Sequence, residues 1–303
     1  MSRPPDRSHI LTEQRNPRTM NLHAMSVAEC VALIAQEDRT VLVAMEKARG
    51  PLAALIEAAE PGFVSGGRLV YVGAGTSGRL GVLDASEAPP TFQVEAGRVV
   101  GIIAGGDAAL RKSSETKEDD PRGAREELAA LALSARDTVI GIAAGGTTPY
   151  VLGALDFAAG VGALTALVAC TPIERPASAR HLVVLETGPE VITGSTRMKA
   201  GTATKLALNT ISTTLMIREG RVYENLMVDL RATNDKLRDR AARIVATLTA
   251  LDREASFALL DKAGGAVKTA VVMHRLELDR GAAEARLRGC GGRLGKALSN
   301  LAP

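Results

Sequence analysis

Short apolar runs alternate with amphipathic stretches through the middle of the chain. The runs are apolar on both faces and rich in β-branched residues, a pattern typical of buried parallel strands. They occupy residues 69–73, 99–104, 138–143, 163–169 and 182–186. The amphipathic stretches between them predict helices at 79–88, 115–134 and 149–159. Regular alternation of this kind predicts a doubly wound α/β fold with a parallel sheet covered by helices on both faces.

Helical patterns flank this central region. Residues 1–25 form an arm rich in Pro, Arg and Asn, after which the capping-box pair Ser26 and Glu29 predicts the start of a helix. Gly50 and Pro51 predict its end, and a second short helix is expected to stop near Pro61.

Longer helical runs follow the sheet region, at 195–219 and 228–251, and short Ala-rich helices fill the C-terminal part. We therefore predict three segments. They are an N-terminal arm with helices at 1–57, a ligand-binding domain at 58–225 and a small helical domain at 226–303.

Composition narrows the classes of partner. The chain has 303 residues, 46% of them hydrophobic and 2% aromatic, so its core must consist mainly of Ala, Val, Leu and Ile. Lys and Arg number 37 and Asp and Glu 34, a net charge of +3 that favours neither a nucleic-acid partner nor a membrane. The three cysteines form no Cys-x-x-Cys pair, and the polar N-terminus does not resemble a signal peptide. These features predict a cytoplasmic protein with reduced thiols.

The most informative segment follows the first predicted strand. Residues 73–78 read Gly-Ala-Gly-Thr-Ser-Gly and open a helix, whose free amides form a natural phosphate cradle. We expect Gly75, Thr76, Ser77 and Gly78 to hold a phosphate. The same letters match a dinucleotide-binding pattern, but the second strand ends in Ala-Gly-Gly without the required acid. A tight turn without a ligand is the structural alternative.

A second turn of the same kind follows the third strand. Residues 144–149 read Ala-Gly-Gly-Thr-Thr-Pro, with the proline suited to the first helical position. In a flavodoxin-like order, strands one and three lie side by side at the point where ligands bind. Gly145 and Thr147 are therefore expected to share one anion pocket with the first turn.

A third cluster leads into the long helix after the last strand. Ser195 and Lys199 are expected to bind the ligand there, with the helix N-terminus and Arg197 adding positive potential. Simple capping by Thr193 or Ser195 is the structural alternative.

Carboxylates are the remaining candidates for acid–base chemistry. The four histidines show no metal-ligand spacing, so no metal is expected, and no nucleophile elbow is present. Glu87 stands just before Pro89 and Pro90, where a helix is expected to end, and the negative end of a helix dipole suits a general acid. Glu115 and the acidic residues at 118–120 follow the second strand on the ligand side. Solvated surface charge is the alternative for each.

Four long segments resemble the N-acetylmuramic acid 6-phosphate etherase family. They are TEQRNP at 12–17, GAGTSGRLGVLDASE at 73–87, GPEVITGSTRMKAGTATK at 188–205 and NLMVDLRATN at 225–234. The resemblance covers almost the whole chain. It implies a sugar isomerase (SIS) fold with a flavodoxin-like five-stranded parallel sheet, a small C-terminal helical domain and a homodimer.

The resemblance also implies a reaction. The family removes D-lactate from N-acetylmuramate 6-phosphate in cell-wall recycling, without a cofactor, and leaves N-acetylglucosamine 6-phosphate. By correspondence Glu87 is the acid and Glu115 the base. Glu87 lies roughly 15 Å along the helix from Ser77, at 1.5 Å per residue. We therefore expect a site at a homodimer interface. The arm at 12–17 closes over either its own site or the partner's, and we expect Arg15 and Asn16 to reach the partner.

One turn departs from the family pattern. Where the family usually has Ala-Ser-Gly-Arg-Thr-Pro-Tyr, residues 144–150 read Ala-Gly-Gly-Thr-Thr-Pro-Tyr. Each lost hydrogen bond to a charged group costs about 1.5–3 kcal/mol. The alternative functions are a sugar-phosphate isomerase on the same fold and a non-catalytic sugar-phosphate regulator.

Overall fold

The chain folds into two compact units. The computed structural model describes residues 6–112, 115–230 and 234–299, and for Glu115 it describes the backbone alone. The first unit contains residues 1–86 and 96–213, and the second contains 87–95 and 214–303. The division of the chain at 57/58 and at 225/226 stays a prediction.

The first unit is built on a five-stranded parallel sheet. Its strands are β1 (Leu69–Gly73), β2 (Val99–Ile103), β3 (Thr138–Ile142), β4 (Leu164–Ala169) and β5 (His181–Val184). The strand order is β2-β1-β3-β4-β5, which is the flavodoxin-like order, and all four pairings are parallel. The predicted fold class is confirmed, and every strand lies within two residues of its predicted bounds.

Helices surround the sheet and follow it. They are α1 (Val27–Lys47), α2 (Arg49–Val64), α3 (Gly75–Phe92), α4 (Ala108–Arg111), α5 (Arg125–Ala130), α6 (Pro149–Gly160) and α7 (Lys199–Glu219). Short 3₁₀ turns lie at Leu11–Glu13, Pro17–Thr19, Leu22–Ala24 and Glu115–Lys117. Side chains such as Val70, Val72, Leu155 and Leu167 fill the core between sheet and helices, as the low aromatic content requires.

The second unit is mainly helical. A short antiparallel hairpin, β6 (Val222–Tyr223) with β7 (Leu226–Met227), precedes its helices. These are α8 (Asp235–Thr249), α9 (Arg253–Lys262), α10 (Val267–Leu276), α11 (Arg280–Gly289) and α12 (Leu294–Leu298). The side chains of Asn234, Asp252 and Asp279 each cap a helix by accepting a hydrogen bond from a backbone amide.

Several predicted helix ends are wrong. Helix α2 continues past Pro61 to Val64, and α3 continues through Pro89 and Pro90 to Phe92. Proline has a helical φ, so a helix can pass through it when other packing compensates for the missing backbone hydrogen bond. The predicted helix at 115–134 is broken, because Pro121 and Gly123 separate the turn at 115 from α5. The run predicted at 228–251 begins as helix only at Asp235.

In the described part of the chain, no helix combines the length and apolar character that crossing a bilayer requires.

Candidate active site

The two glycine-rich turns lie side by side at the carboxyl edge of the sheet. Gly73, the last residue of β1, pairs with Ile142, the last residue of β3. Neighbouring strands are about 4.8 Å apart, so the turns that follow them start next to each other. Helix α3 starts at Gly75 and α6 at Pro149, so each turn opens a helix. Free amides at such helix starts are suited to an anion.

Close packing explains two of the glycines. A Cβ on Gly78 would lie 2.6 Å from Ile103 Cγ1 and 2.7 Å from the Gly73 carbonyl oxygen, so α3 can approach the sheet only with glycine there. Gly146 has a φ of +73°, and a Cβ on it would lie 2.5 Å from Ile173 Cδ1. Both turns therefore have a backbone path that larger residues would disturb.

The start of α7 joins these turns. The Thr76 methyl group lies 3.4 Å from the position of a Cβ on Gly201, in the first turn of α7. The Cys170 amide donates to the Ala144 carbonyl oxygen at 2.8 Å, and its thiol lies 3.6 Å from the Ala200 carbonyl oxygen. The structure therefore brings the three predicted segments together.

The hydroxyl groups of these segments are accessible to different degrees. Thr76, Ser77 and Ser195 are half-buried, and Thr147 is exposed. Together with the turn amides they could surround a phosphate group, because hydroxyls and amides donate to its oxygens.

Lys199 is fully buried and already paired. Its ammonium group donates to Glu37 Oε2 at 2.9 Å, and the exposed fractions of the two side chains are 0% and 1%. The amides of Lys199 and Ala200 donate to the buried Glu190 carboxylate at 3.0 and 2.9 Å. The expected free anion-binding N-terminus of α7 is therefore occupied by a side chain of the chain itself. Burial raises the pKa of Glu190, although the hydrogen bonds from these two backbone amides act in the opposite direction.

The two proposed catalytic carboxylates have different surroundings. Glu87 is exposed on α3, and the helix continues five residues beyond it to Phe92, so Glu87 does not stand at the helix end as expected. Glu115 begins the turn Glu115–Lys117, but its side chain lies outside the described part of the chain.

Glu118 lies between the two glycine turns. Its Oε1 atom is 3.3 Å from the position of a Cβ on Gly75, and its carbonyl oxygen accepts the Tyr150 amide at 3.0 Å. The sequence placed Glu118 in an acidic cluster on the ligand side without giving it a role. Its carboxylate borders the first turn.

Two buried residues had no predicted role. Asp84 accepts bonds from Tyr71, Asn209 and Ser212 in the interior of the first unit. Glu37 lies on the buried face of α1 with Val41 and Ala44. A charged residue at the buried phase of an amphipathic helix signals a buried partner, and that pattern could have identified Glu37.

The arm packs on its own subunit. Asn16 is 2% exposed and donates to Glu37 Oε2 at 2.8 Å and to the Pro189 carbonyl oxygen at 3.3 Å. The expectation that Asn16 reaches a partner subunit is therefore wrong for this structure. Arg15 is exposed, and its predicted role is still open.

Within the ranges that the structure describes, no three His, Cys, Asp or Glu side chains are grouped as metal ligands would be.

Part of the chain is similar to a family model and to a solved structure. The model of the glucokinase regulatory protein N-terminal SIS domain matches residues 50–159. The phosphoheptose isomerase GmhA from Neisseria gonorrhoeae is a solved structure with a TM-score of 0.46 and 17% identity, covering 63% of this chain and 98% of its own.

Curated relatives match much more of the sequence. An N-acetylmuramic acid 6-phosphate etherase of Gloeobacter violaceus is 50% identical over 98% of this chain and 97% of its own. An enzyme of the same name from Thermosynechococcus vestitus is 52% identical over 89% of this chain and 88% of its own. Half of all positions shared over nearly the full length means that this chain belongs to the N-acetylmuramic acid 6-phosphate etherase family.

Proposed function

We propose that the protein is a lyase that cleaves the lactyl ether of N-acetylmuramate 6-phosphate. The products are N-acetylglucosamine 6-phosphate and D-lactate, and the step belongs to cell-wall sugar recycling in the cytoplasm. The observation that carries this proposal is the identity of about 50% to etherases over nearly the whole chain. The names of these relatives favour the lyase over an isomerase or a non-catalytic regulator.

The glycine turns bind the phosphate in this proposal. The amides of Gly75 and Gly145 and the hydroxyls of four half-buried or exposed Ser and Thr residues donate to its oxygens. Those residues are Thr76, Ser77, Thr147 and Ser195. The Gly78 amide, which the sequence also assigned to the phosphate, already donates to the Ala74 carbonyl oxygen at 3.1 Å. Lys199 supports the site through its ion pair with Glu37, since its ammonium group is buried away from a ligand.

Two carboxyl groups perform the elimination. In the open-chain sugar, the C1 aldehyde acidifies the C2 proton, and the Glu115 carboxylate removes it. The C3–O bond breaks, its electron pair leaves with the lactate oxygen, and Glu87 protonates that oxygen. Water then adds to the C2–C3 double bond, with its oxygen at C3 and a proton at C2. The proposal requires no cofactor.

A homodimer is part of the proposal. Val27, Val31 and Leu42 of α1 are 83%, 63% and 68% exposed, and their spacing places them on one helix face. Exposed apolar side chains that share one helix face are suited to a protein interface. A partner subunit also supplies a second side to the site, because Glu87 is roughly 15 Å along α3 from Ser77.

Lactate release tests the activity. Wild type is assayed with N-acetylmuramate 6-phosphate beside Glu87→Gln and Glu115→Gln, with Glu57→Gln on the exposed side of α2 as the control. We expect both site variants to lose at least a hundredfold in kcat and the control to match wild type. In D₂O, Glu87→Gln is expected still to exchange the C2 proton, whereas Glu115→Gln is not. A wild type that binds the sugar phosphate and releases no lactate contradicts the lyase proposal and favours the regulator.

Light scattering tests the dimer. Wild type is expected at twice the monomer mass, and Leu42→Asp at the monomer mass with reduced activity, because a charge on the apolar face opposes association. Val161→Asp, an exposed apolar position outside α1, serves as the control and is expected to stay dimeric. Full activity in a stable wild-type monomer excludes a shared site.

A further inference from the structure

The Glu37 carboxylate collects three donors in the interior of the first unit. Asn16 Nδ2 donates at 2.8 Å, Arg18 Nη2 at 2.9 Å and Lys199 Nζ at 2.9 Å, and the Arg18 Nε also bonds to the second oxygen. Asn16 is 21 residues before Glu37 and Lys199 is 162 residues after it. One carboxylate therefore links the N-terminal arm, α1 and the start of α7.

Stability alone explains this arrangement poorly. Removing two charges from water is costly, and a buried ion pair is often no more stable than apolar residues of similar volume. What the pair provides is direction, because a carboxylate with three donors defines where each donor lies. The arrangement is therefore better explained by positioning of the segments that it joins.

Residues 10–19 of the arm lie against the segments assigned to the ligand. Ile10 is 3.6 Å from the position of a Cβ on Gly145, in the second turn. The Leu11 amide donates to Thr171 Oγ1 at 3.0 Å, and the Gly194 amide donates to the Thr12 carbonyl oxygen at 3.1 Å.

The later part of the arm follows the same path. The Thr19 hydroxyl donates to the Val191 carbonyl oxygen at 2.9 Å, and Asn16 donates to that of Pro189. The arm thus covers the second turn and the loop that precedes Ser195.

We propose that Glu37 is a positioning residue that holds the arm as one wall of the sugar-phosphate site. The proposal rests on the function proposed above for its ligand, and it adds that affinity depends on residues that do not touch the ligand. Asn16 and Arg18 link the arm to Glu37, and Lys199 acts through Glu37 as well. Loss of the link leaves the second turn without its cover and weakens binding.

Asn16→Ala is the variant of choice. It removes one of the two links between the arm and Glu37 and leaves the carboxylate paired with Lys199 and Arg18, whereas Glu37→Gln alone would leave a buried ammonium group without a counter-charge. Asn21→Ala is the matched control, because Asn21 lies in the same N-terminal region, is exposed and makes no capping bond.

Two measurements distinguish release of the arm from loss of folding. Limited trypsin digestion after Arg15 and Arg18, followed by mass spectrometry, reports on the arm, and calorimetry with N-acetylglucosamine 6-phosphate reports on binding. We expect Asn16→Ala to be cut about tenfold faster than wild type and to bind about tenfold more weakly. Its far-ultraviolet circular dichroism is expected to match wild type, and kcat to change less than twofold. Asn21→Ala is expected to match wild type in every measurement.

A double variant separates positioning from direct contact. Glu37→Gln with Lys199→Met removes both charges, so we expect faster trypsin cutting and weaker binding together. Weaker binding without faster cutting assigns the ammonium group to the ligand and overturns the proposal. The proposal is also overturned if trypsin cuts Asn16→Ala rapidly but its affinity equals that of wild type. It is overturned equally if trypsin cuts Asn16→Ala no faster than wild type. Because binding is measured separately from lactate release, a wild type that binds without turnover contradicts the proposed lyase and leaves this proposal to be decided by affinity.

Discussion

Gly145 is one of two residues at which the second turn departs from the pattern expected of the family, and the structure has room there for a side chain. A Cβ on Gly145 would lie 3.6 and 3.7 Å from two carbon atoms of Ile10, which is ordinary van der Waals contact. Gly146, its neighbour, is different, since its φ is +73° and a Cβ would lie 2.5 Å from Ile173. The first glycine can therefore be replaced and the second cannot.

Gly145→Ser is predicted to strengthen substrate binding. The added hydroxyl can donate to a phosphate bound between the turns, and a bond to a charged group contributes about 1.5–3 kcal/mol. We expect KM for N-acetylmuramate 6-phosphate to fall about tenfold while kcat is unchanged, as measured by steady-state lactate release. Gly146→Ser is the control and is expected to lower the melting temperature without a gain in KM. An unchanged KM in folded Gly145→Ser means that this turn does not touch the phosphate.

A buried carboxylate on helix α3 fixes the orientation of that helix. Asp84 accepts from Tyr71 on β1 at 2.9 Å and from Asn209 and Ser212 on α7 at 2.7 and 3.2 Å. Burial and the neighbouring Asp84 charge raise the pKa of Tyr71 well above its usual value, so this tyrosine stays a donor. Three neutral donors thus compensate one buried charge and connect α3 to a strand and a helix.

Asp84→Ala is predicted to destabilise the fold by about 2–3 kcal/mol. The substitution leaves the buried Tyr71 and Ser212 hydroxyls and the half-buried Asn209 amide group without an acceptor, and each unsatisfied group carries a desolvation cost. Urea unfolding followed by circular dichroism measures the loss. Ser86→Ala on the same helix is the control, because its exposed hydroxyl bonds only to the Leu83 carbonyl oxygen. A change below 0.5 kcal/mol is expected there. Equal effects of the two substitutions contradict the role given to Asp84.

At the scale of the whole molecule, two buried carboxylates hold distant segments together. Asp137 accepts hydrogen bonds from the Arg68 backbone amide at 2.7 Å, from Arg68 Nη2 at 2.9 Å and from the Ser134 backbone amide at 2.7 Å. Burial alone raises the pKa of Asp137, but these bonds outweigh it and lower that pKa to about 2. The bond from Arg18, aided by Lys199 and Asn16, likewise lowers the pKa of Glu37 to about 2 despite burial.

Acid is therefore predicted to weaken the fold between about pH 4.5 and pH 2. A carboxyl group whose pKa falls on folding stabilises the native state above its unfolded pKa, and that stabilisation is lost as the pH falls through its folded pKa. Each pKa unit corresponds to about 1.4 kcal/mol, so Asp137 accounts for about 2 kcal/mol and Glu37 for about 3 kcal/mol.

Urea unfolding at pH 7, 4 and 2.5 checks this. Asp137→Asn is expected to be about 2 kcal/mol less stable at pH 7 and to lose less stability than wild type on acidification. Asp261→Asn in the exposed pair with Arg238 is the control, with an expected change below 1 kcal/mol. Parallel pH profiles for wild type and Asp137→Asn contradict the assignment.

Local pattern was sufficient for much of the fold. The apolar runs predicted five strands, because residues buried on both faces must be apolar along their whole length. The capping box of Ser26 and Glu29 was confirmed, with the Ser26 amide bonded to Glu29 at 2.7 Å, since both partners lie within one turn. Helix ends at prolines were predicted wrongly, because the φ angle of proline is helical and proline does not by itself end a helix.

The sequence by itself determined the strands, the doubly wound α/β class that their alternation implies, and the glycine turns that open α3 and α6, while the family resemblance implied the flavodoxin-like strand order. These features depend on residues near each other along the chain or on periodicity. Only the tertiary structure decided that Lys199 pairs with Glu37, that Glu190 occupies the start of α7 and that the arm lies on its own subunit. The physical reason is that a buried charge takes the partner that folding brings to it, and separation along the chain carries no information about that choice.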